Sequence, residues 1–316
     1  MVAINHSFFF SLKEQVNMVK PFSLQWKIEQ KDHGKLIQQF LHEQEISKRA
    51  LTDIKLHGGD ILINGKHVTV RHQLSCGEKL TVVFPIEKKS ESLKAEKIAL
   101  DIVYEDDYVL VLNKPPFMNT IPSREHPEGS LANALMGYYE KLGLASAPHI
   151  VTRLDRNTSG LVLVAKHRHI HYLFSKAQQQ GSVTRIYEAF VDGCLKEMSG
   201  VIEAPIARKS DSIIEREVNE TGQYARTRYK LIEQFDKFAH VELLLDTGRT
   251  HQIRVHMSYI GHPLVGDDLY GGSTDLLSRQ ALHCRTISFV HPMVKEILTF
   301  TSPLPEDMER IINDKK

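Results

Sequence analysis

At 316 residues the chain can bury a large hydrophobic core, with room for one big domain and a smaller one. Charged residues make up 25% of it and the formal net charge is only +1, so the total charge announces no polyanionic partner. No stretch reaches ~18 apolar residues, "FFF" at positions 8–10 is too short for a signal-peptide core, and Cys76, Cys194 and Cys284 show no paired spacing. A membrane span, an export signal, a disulfide framework and a cysteine zinc site are therefore not expected. A reduced, cytoplasmic protein is, with a monomer as the default state and translation starting at Met1 or Met18.

The charge is unevenly spread. The first 90 residues hold 13 lysines and arginines against 9 acids, and the remainder 27 against 30. A modestly basic N-terminal part thus precedes a nearly neutral larger one. In the former, Leu36, Phe40 and Leu41 have helical spacing, and Ser47 is an N-cap for a second short helix. After Gly58-Gly59 the pattern turns to strands, with Ile61 to Ile63 meeting an Asn64-Gly65 turn and an apolar run over 81–84. The polar, lysine-rich "IEKKSESLKAEK" that follows reads as a linker, or alternatively as a solvated helix.

From residue 102 onward strands and helices mix. "VLVLNKPP" is a strand ended by prolines, Ser130 caps a helix carrying Leu131, Ala134, Leu135 and Leu142, and 161–165 is a strand buried on both faces. Ile170, Leu173, Phe174 and Ala177 trace one helical face ending at Gly181. Strands are predicted over 186–191 and 227–233. Ala239, Val241, Leu243 and Leu245 alternate as in a half-exposed strand, and Ile253, Met257 and Ile260 indicate a short helix before Gly261. Mixed order and hairpin-sized gaps favour an α+β fold over a doubly wound sheet.

Three segments carry chemistry. "VTRLDRNTSGLVLVAK" sets Asp155 between Arg153 and Arg156 at the mouth of a buried strand. The plain explanation is a turn, with Thr158 and Ser159 bonding the backbone and Gly160 supplying an unusual backbone angle. The two flanking arginines favour more, because they attract phosphate while holding a carboxylate ionised. "VTRIYEAFVDG" places Tyr187 on a strand, either as packing or as a platform for an aromatic base. "DTGRTHQIRVHMSYIGHPLVGDDLYGG" gathers Arg249, His251, Arg254 and His256 among glycines. The histidines of "HRHIH" scatter around a helix axis, and His251 and His256 are five apart with no acid between them. Neither spacing matches a known metal-ligand pattern.

Together "RLDRNTSG", "RIYEAFVDG" and "TGRTHQIRVHMSYIGHPLVGDDLYG" resemble the RluA-type RNA pseudouridine synthases, whose signature reads HRLDxxTSG, over roughly residues 100–305. The N-terminal unit looks like the S-four-type RNA-binding domain that precedes the catalytic domain in many such enzymes, on its helix-helix-strand order and "INGKHV". The resemblance implies an RNA-binding domain over 22–86, a linker over 87–98 and a pseudouridine synthase catalytic domain over 99–316. It also implies isomerisation of uridine in ribosomal or transfer RNA, with no metal or cofactor. Carried over, Asp155 is the essential carboxylate, Tyr187 the aromatic residue against the target base, and Arg254 the basic partner of the aspartate. Lys114 and Pro115 of "NKPP" match a motif beside the site. Two departures stand out: Thr152 where the signature has histidine, and no glycine after Lys-Pro.

The reaction breaks the bond between ribose C1′ and uracil N1, turns the base and rejoins it through C5, which one carboxylate can serve. A hydrolytic glycosidase brings two carboxylates, whereas this signature carries one, against a nucleoside hydrolase. The remaining alternative is a non-catalytic RNA-binding or ribosome-assembly factor on the same fold. Everting the uridine costs a few kcal/mol, which phosphate contacts offset. Lys114, Arg153, Arg156, Arg249 and His251 are the expected RNA contacts near the site. Lys48, Arg49, Lys55, Lys66 and Arg71 form an expected backbone-binding face on the N-terminal unit.

Overall fold

The computed structural model describes residues 21–87 and 93–314, so "FFF" and the two candidate start methionines lie outside the described residues. The N-terminal unit runs β1 (Ser23–Lys27), α1 (Ile37–Glu43), α2 (Lys48–Leu56), β2 (Asp60–Ile63), β3 (Lys66–His67) and β4 (Lys79–Val83). Its strands pair antiparallel in the order β1-β4-β2-β3. Leu24, Ile37, Phe40, Leu41, Ile54 and Leu80 form its own core. As the sequence predicts, Ser47 caps α2 by accepting the Ala50 amide at 3.1 Å, and Asn64 takes the positive φ of the tight turn between β2 and β3.

The larger unit begins with β5 (Ile102–Glu105), β6 (Val109–Lys114), α3 (Leu131–Leu142), β7 (His149–Ile150), β8 (Ser159–Ala165) and α4 (Arg168–Gln179). It continues through β9 (Val183–Asp192), β10 (Ser199–Glu203), β11 (Ile206–Arg208), β12 (Arg216–Val218), β13 (Arg226–Gln234) and β14 (Phe238–Leu245). It closes with α5 (Gln252–Tyr259), β15 (Leu282–Val290), β16 (Ile297–Thr301) and α6 (Glu306–Asn313). One large mixed sheet follows the order β10-β13-β14-β9-β15-β8-β6-β5, with β7 beside β8 and β16 beside β15. Among the described residues only the β8–β15 pairing of this sheet is parallel. The mixed, mainly antiparallel sheet makes the fold α+β.

Every residue of β8 is buried, as an uninterrupted apolar run at a sheet centre should be. Ser130 caps α3 by accepting the Asn133 amide at 3.2 Å, while Leu142, at the helix end, is exposed. β14 is less exposed than its alternation predicts. His240 on its polar face is buried too, because Nε2 lies 3.0 Å from Glu188 on neighbouring β9.

Between the units, the described part of 87–98 is neither a loose linker nor a helix. Glu87 is buried, with one carboxylate oxygen 2.6 Å from His149 Nε2 and the other accepting the Arg168 amide at 2.8 Å. Glu96 donates its amide to the Asn133 carbonyl of α3 at 3.0 Å. Phe22 stacks on His167 at 4.0 Å and Phe84 on His169 at 5.3 Å, so the start of α4 is the seat of the N-terminal unit.

Candidate active site

Asp155 stands in the turn that feeds β8, its carbonyl accepting the Thr158 amide at 3.1 Å. Three other segments fasten this turn. The Thr120 hydroxyl donates to the Leu154 carbonyl at 2.6 Å and accepts the Leu154 amide at 3.2 Å. The Lys114 ammonium donates to the carbonyls of Pro115 and Met118 at 2.8 Å and of Arg156 at 3.3 Å. From the far side, Arg279 donates to the Asn157 carbonyl at 3.1 Å and Gln280 Nε2 to the Thr158 hydroxyl at 3.2 Å. Arg279 is itself held by both oxygens of Asp307 on α6, at 2.7 and 2.8 Å. The backbone on either side of Asp155 is pinned, and its side chain projects with 29% exposure.

Several sequence-based assignments change here. Lys114 is 1% exposed and all three of its protons go to carbonyls, so it fixes the turn and is not a phosphate contact. Burial pushes its amine down to about 7, against the pull of the Asp155 charge; three acceptor oxygens around one nitrogen require the ammonium form. Thr158 and Ser159 bond the side chains of Gln280 and His283, the latter at 2.9 Å, instead of local backbone. Thr152, at the position where the signature has histidine, is buried and its hydroxyl accepts the Leu163 amide at 2.9 Å. Gly160 does supply the unusual angle, with φ of +111°.

α5 brings the cation. Its first turn is stapled by the buried Gln252, whose carbonyl oxygen accepts the Arg249 amide at 2.9 Å and whose Nε2 donates to the Arg226 carbonyl at 3.0 Å. Two residues on, Arg254 Nη1 lies 3.3 Å from Asp155 Oδ2, the contact the resemblance implies. Its principal partner is another acid. Nε and Nη2 form a two-pronged pair with Asp267, each bond 2.7 Å, and the Asp267 side chain is 0% exposed. Burial opposes the charge on Arg254, but the Asp267 bonds and the Asp267 and Asp155 charges hold its proton above the ordinary arginine range. The Tyr270 ring packs over the guanidinium, 4.9 Å from its carbon.

A second carboxylate therefore does stand at this site, contrary to the sequence reading. With both oxygens on a guanidinium and no solvent exposure, Asp267 is in no position to activate water. Asp267 and Tyr270 both lie in "GDDLYGG", whose acidic doublet reads as an ordinary loop until the chain folds it back onto α5.

Tyr187 sits on β9 between its partners Leu243 on β14 and Cys284 on β15. Burial pushes its phenol well above the usual tyrosine value, and the nearby Asp155 charge adds to the push, so it keeps its proton. Arg185, two residues earlier on the same strand, turns its guanidinium toward Gly248. Arg153, Arg156 and Arg249 are exposed, with Arg249 Nε donating to the Tyr224 carbonyl at 3.0 Å. His251 is only 11% exposed in its side chain, with Nε2 3.8 Å from Asp155 Oδ2. His256 is buried between the Thr227 hydroxyl and the Ala204 carbonyl, each 2.9 Å away. On the N-terminal unit Lys48, Arg49, Lys55, Lys66 and Arg71 are exposed, and among the described residues none has an ion-pair partner.

The RNA pseudouridylate synthase family model matches residues 108–259, which span the turn, Tyr187 and Arg254. An uncharacterized RNA pseudouridine synthase of Bacillus subtilis, YjbO, is 52% identical over 276 residues, covering 87% of this chain and 98% of its own. The ribosomal large subunit pseudouridine synthase D of Vibrio parahaemolyticus is 39% identical over 265 residues, covering 79% and 81%. Among solved structures, human RNA pseudouridylate synthase domain containing 4 has a TM-score of 0.55 at 21% identity, covering 67% of this chain and 91% of that one, a likeness of fold. With Arg254 of one motif brought onto Asp155 of another and relatives of this closeness over most of its length, the chain belongs to the RluA-type RNA pseudouridine synthases, enzymes that isomerise uridine in RNA.

Proposed function

We propose that Asp155 is the carboxylate that works at the ribose of an everted uridine, and that the substrate is structured RNA, with large-subunit ribosomal RNA favoured over transfer RNA. One contrast carries the catalytic assignment. Of the two acids on Arg254, Asp267 is fully enclosed and doubly bonded, whereas Asp155 is open to solvent and touches Arg254 through Oδ2 alone. The reaction breaks C1′–N1, forms C1′–C5, moves the C5 hydrogen to solvent and leaves a proton on N1, so that the product has the composition of uridine. Tyr187 forms a wall for the detached base, and Arg254 holds the acid in place. The ribosomal preference comes from the relatives named for the large subunit.

Arg153, Arg156 and Arg249 are proposed to contact phosphates flanking the target. The unit over 22–86 is proposed as an S-four-type RNA-binding domain using Lys48, Arg49, Lys55, Lys66 and Arg71.

The test is to delete the gene and map pseudouridine across all stable RNA by carbodiimide adducts. Loss of modification at a large-subunit site is the expected result; loss only in transfer RNA would overturn the ribosomal assignment. With 5-tritiated RNA from the deletion strain, Asp155→Asn should abolish tritium release while RNA affinity stays within a few-fold. Retained release would overturn the catalytic role of Asp155.

A further inference from the structure

His251 is the least expected residue of the site. It occupies the N-cap of α5 in the left-handed region, φ +57°, without capping the helix through its side chain. A non-glycine residue is held there only when its surroundings demand it. What it contacts is specific. Nδ1 is 2.8 Å from the Tyr270 hydroxyl, and Nε2 is 3.8 Å from Asp155 Oδ2, the oxygen that Arg254 also approaches.

The proton on this imidazole can be located from its neighbours. The Tyr270 hydroxyl accepts the Arg216 backbone amide of β12 at 3.0 Å. Its own proton then has one partner among the described residues, the Nδ1 lone pair of His251. An Nδ1 that accepts leaves the ring proton on Nε2, facing the carboxylate. The other tautomer would strand the hydroxyl proton and aim a lone pair at a negative oxygen. Burial, with Arg254 and Arg216 nearby, lowers the affinity of the ring for a second proton against the opposing pull of Asp155 and Asp267, so the imidazole stays neutral.

We infer that His251, held as the Nε2–H tautomer by Tyr270 and the Arg216 amide, is a positioning residue that donates to Asp155 Oδ2 and, with Arg254, leaves Oδ1 as the oxygen presented to the ribose. This inference rests on the assignment of Asp155 made above. The separation of 3.8 Å closes to a hydrogen bond when the everted nucleotide fills the cleft, since hydrogen bonds of this kind are long in the empty enzyme. Because the amide that pins the hydroxyl belongs to the β11–β12 hairpin, the placement of that hairpin sets the orientation of the acid.

The test uses single-turnover tritium release from 5-tritiated RNA of the deletion strain, filter-binding affinity, and nitrogen-15 spectra of the histidine rings. His251→Asn tolerates the left-handed backbone and keeps an acceptor for Tyr270 but has no donor at the Nε2 position. It should lower the single-turnover rate by roughly 10–100-fold with affinity within about two-fold. His251→Gln, which extends a donor toward Asp155, should recover much of the rate. Tyr270→Phe should cost roughly 3–10-fold in the wild-type background and nothing further in His251→Asn, because both act through one ring. In the wild-type spectrum the ring signal missing from His251→Asn should show protonated Nε2 and bare Nδ1. A wild-type rate in His251→Asn, or a protonated Nδ1, would overturn the inference. Asp155→Asn run alongside separates the levels: if it stays active the assignment of Asp155 fails, whereas if it is dead and His251→Asn is not, only the role of His251 falls.

Discussion

Asp155 owes its placement to bonds made by its neighbours. Leu154, Arg156, Asn157 and Thr158 are each tied to another segment, and the guanidinium beside the acid is aimed by Asp267. Such bracing keeps a reacting group in one geometry without spending its own oxygens. Asp267→Asn leaves the buried Arg254 charge half-compensated. It should lower stability by about 3 kcal/mol, read by urea denaturation, and single-turnover isomerisation by roughly 10–100-fold, with RNA affinity little changed. An unaltered rate would show that Arg254 does not need that anchor. At this scale the contact of Arg254 with Asp155 and the strand position of Tyr187 were legible, because each residue sits in a recognisable motif. Asp267, Tyr270 and the structural use of Lys114 were not, since nothing in a single chain marks which carbonyl or guanidinium a distant side chain will meet.

Elements were read best where periodicity was strong. The apolar run of β8, the capped face of α3 and the stripe of α4 all appear with predicted character, although β9 and β13 extend beyond their predicted ends. β15 escaped notice, despite lying at the sheet centre, because Arg285, Thr286 and Ser288 dilute its apolar positions; Arg285 finds Glu188 and its neighbours face a sheet edge completed by β16. The parallel contact of β8 with β15 explains Gly160. A Cβ there would lie 2.4 Å from the Cys284 carbonyl oxygen, at a φ of +111° that side chains rarely adopt. Gly160→Ala should therefore cost about 3 kcal/mol or more in urea denaturation and disturb the adjoining Asp155 turn. A loss under about 1 kcal/mol would mean that the two strands can part locally.

For the whole molecule, the joint between the units is sensitive to acid. Burial holds His167 down to about 3 and His169 down to about 4, partly offset by Glu87 and Glu45 respectively. Unfolded histidine, near 6.5, binds the proton more readily, so this pair favours folding above about pH 6.5 and loses stability as pH falls toward 4. Burial would raise Glu87, but the bond to His149, the His149 and His167 charges and the Arg168 amide together outweigh it and take it to about 2, adding a loss below about pH 4.5. Both signs agree. Stability should decline from pH 7 to 5, by ~1 kcal/mol per buried histidine at pH 5.5. His169→Phe, which keeps a ring against Phe84, should flatten a plot of melting temperature against pH; an unchanged slope would place the acid sensitivity elsewhere. The N-terminal unit has its own expected outcome. Replacing Lys48, Arg49, Lys55, Lys66 and Arg71 by alanine should weaken RNA binding roughly 10-fold or more at low salt and shallow its salt dependence, measured by filter binding. An unaltered salt slope would remove this face from the RNA interface.

The sequence alone determined the α+β class, the family and the pairing of Arg254 with Asp155. Each of these depends on residue type and short-range spacing, which one chain displays directly. Tertiary structure decided which acid is enclosed on Arg254 and which is open to solvent, that Lys114 braces a turn, that Glu87 and Glu96 are bonded to the larger unit, and which nitrogen of His251 faces Asp155. Those outcomes depend on contacts between residues tens to more than a hundred positions apart, and on burial that only the folded chain creates.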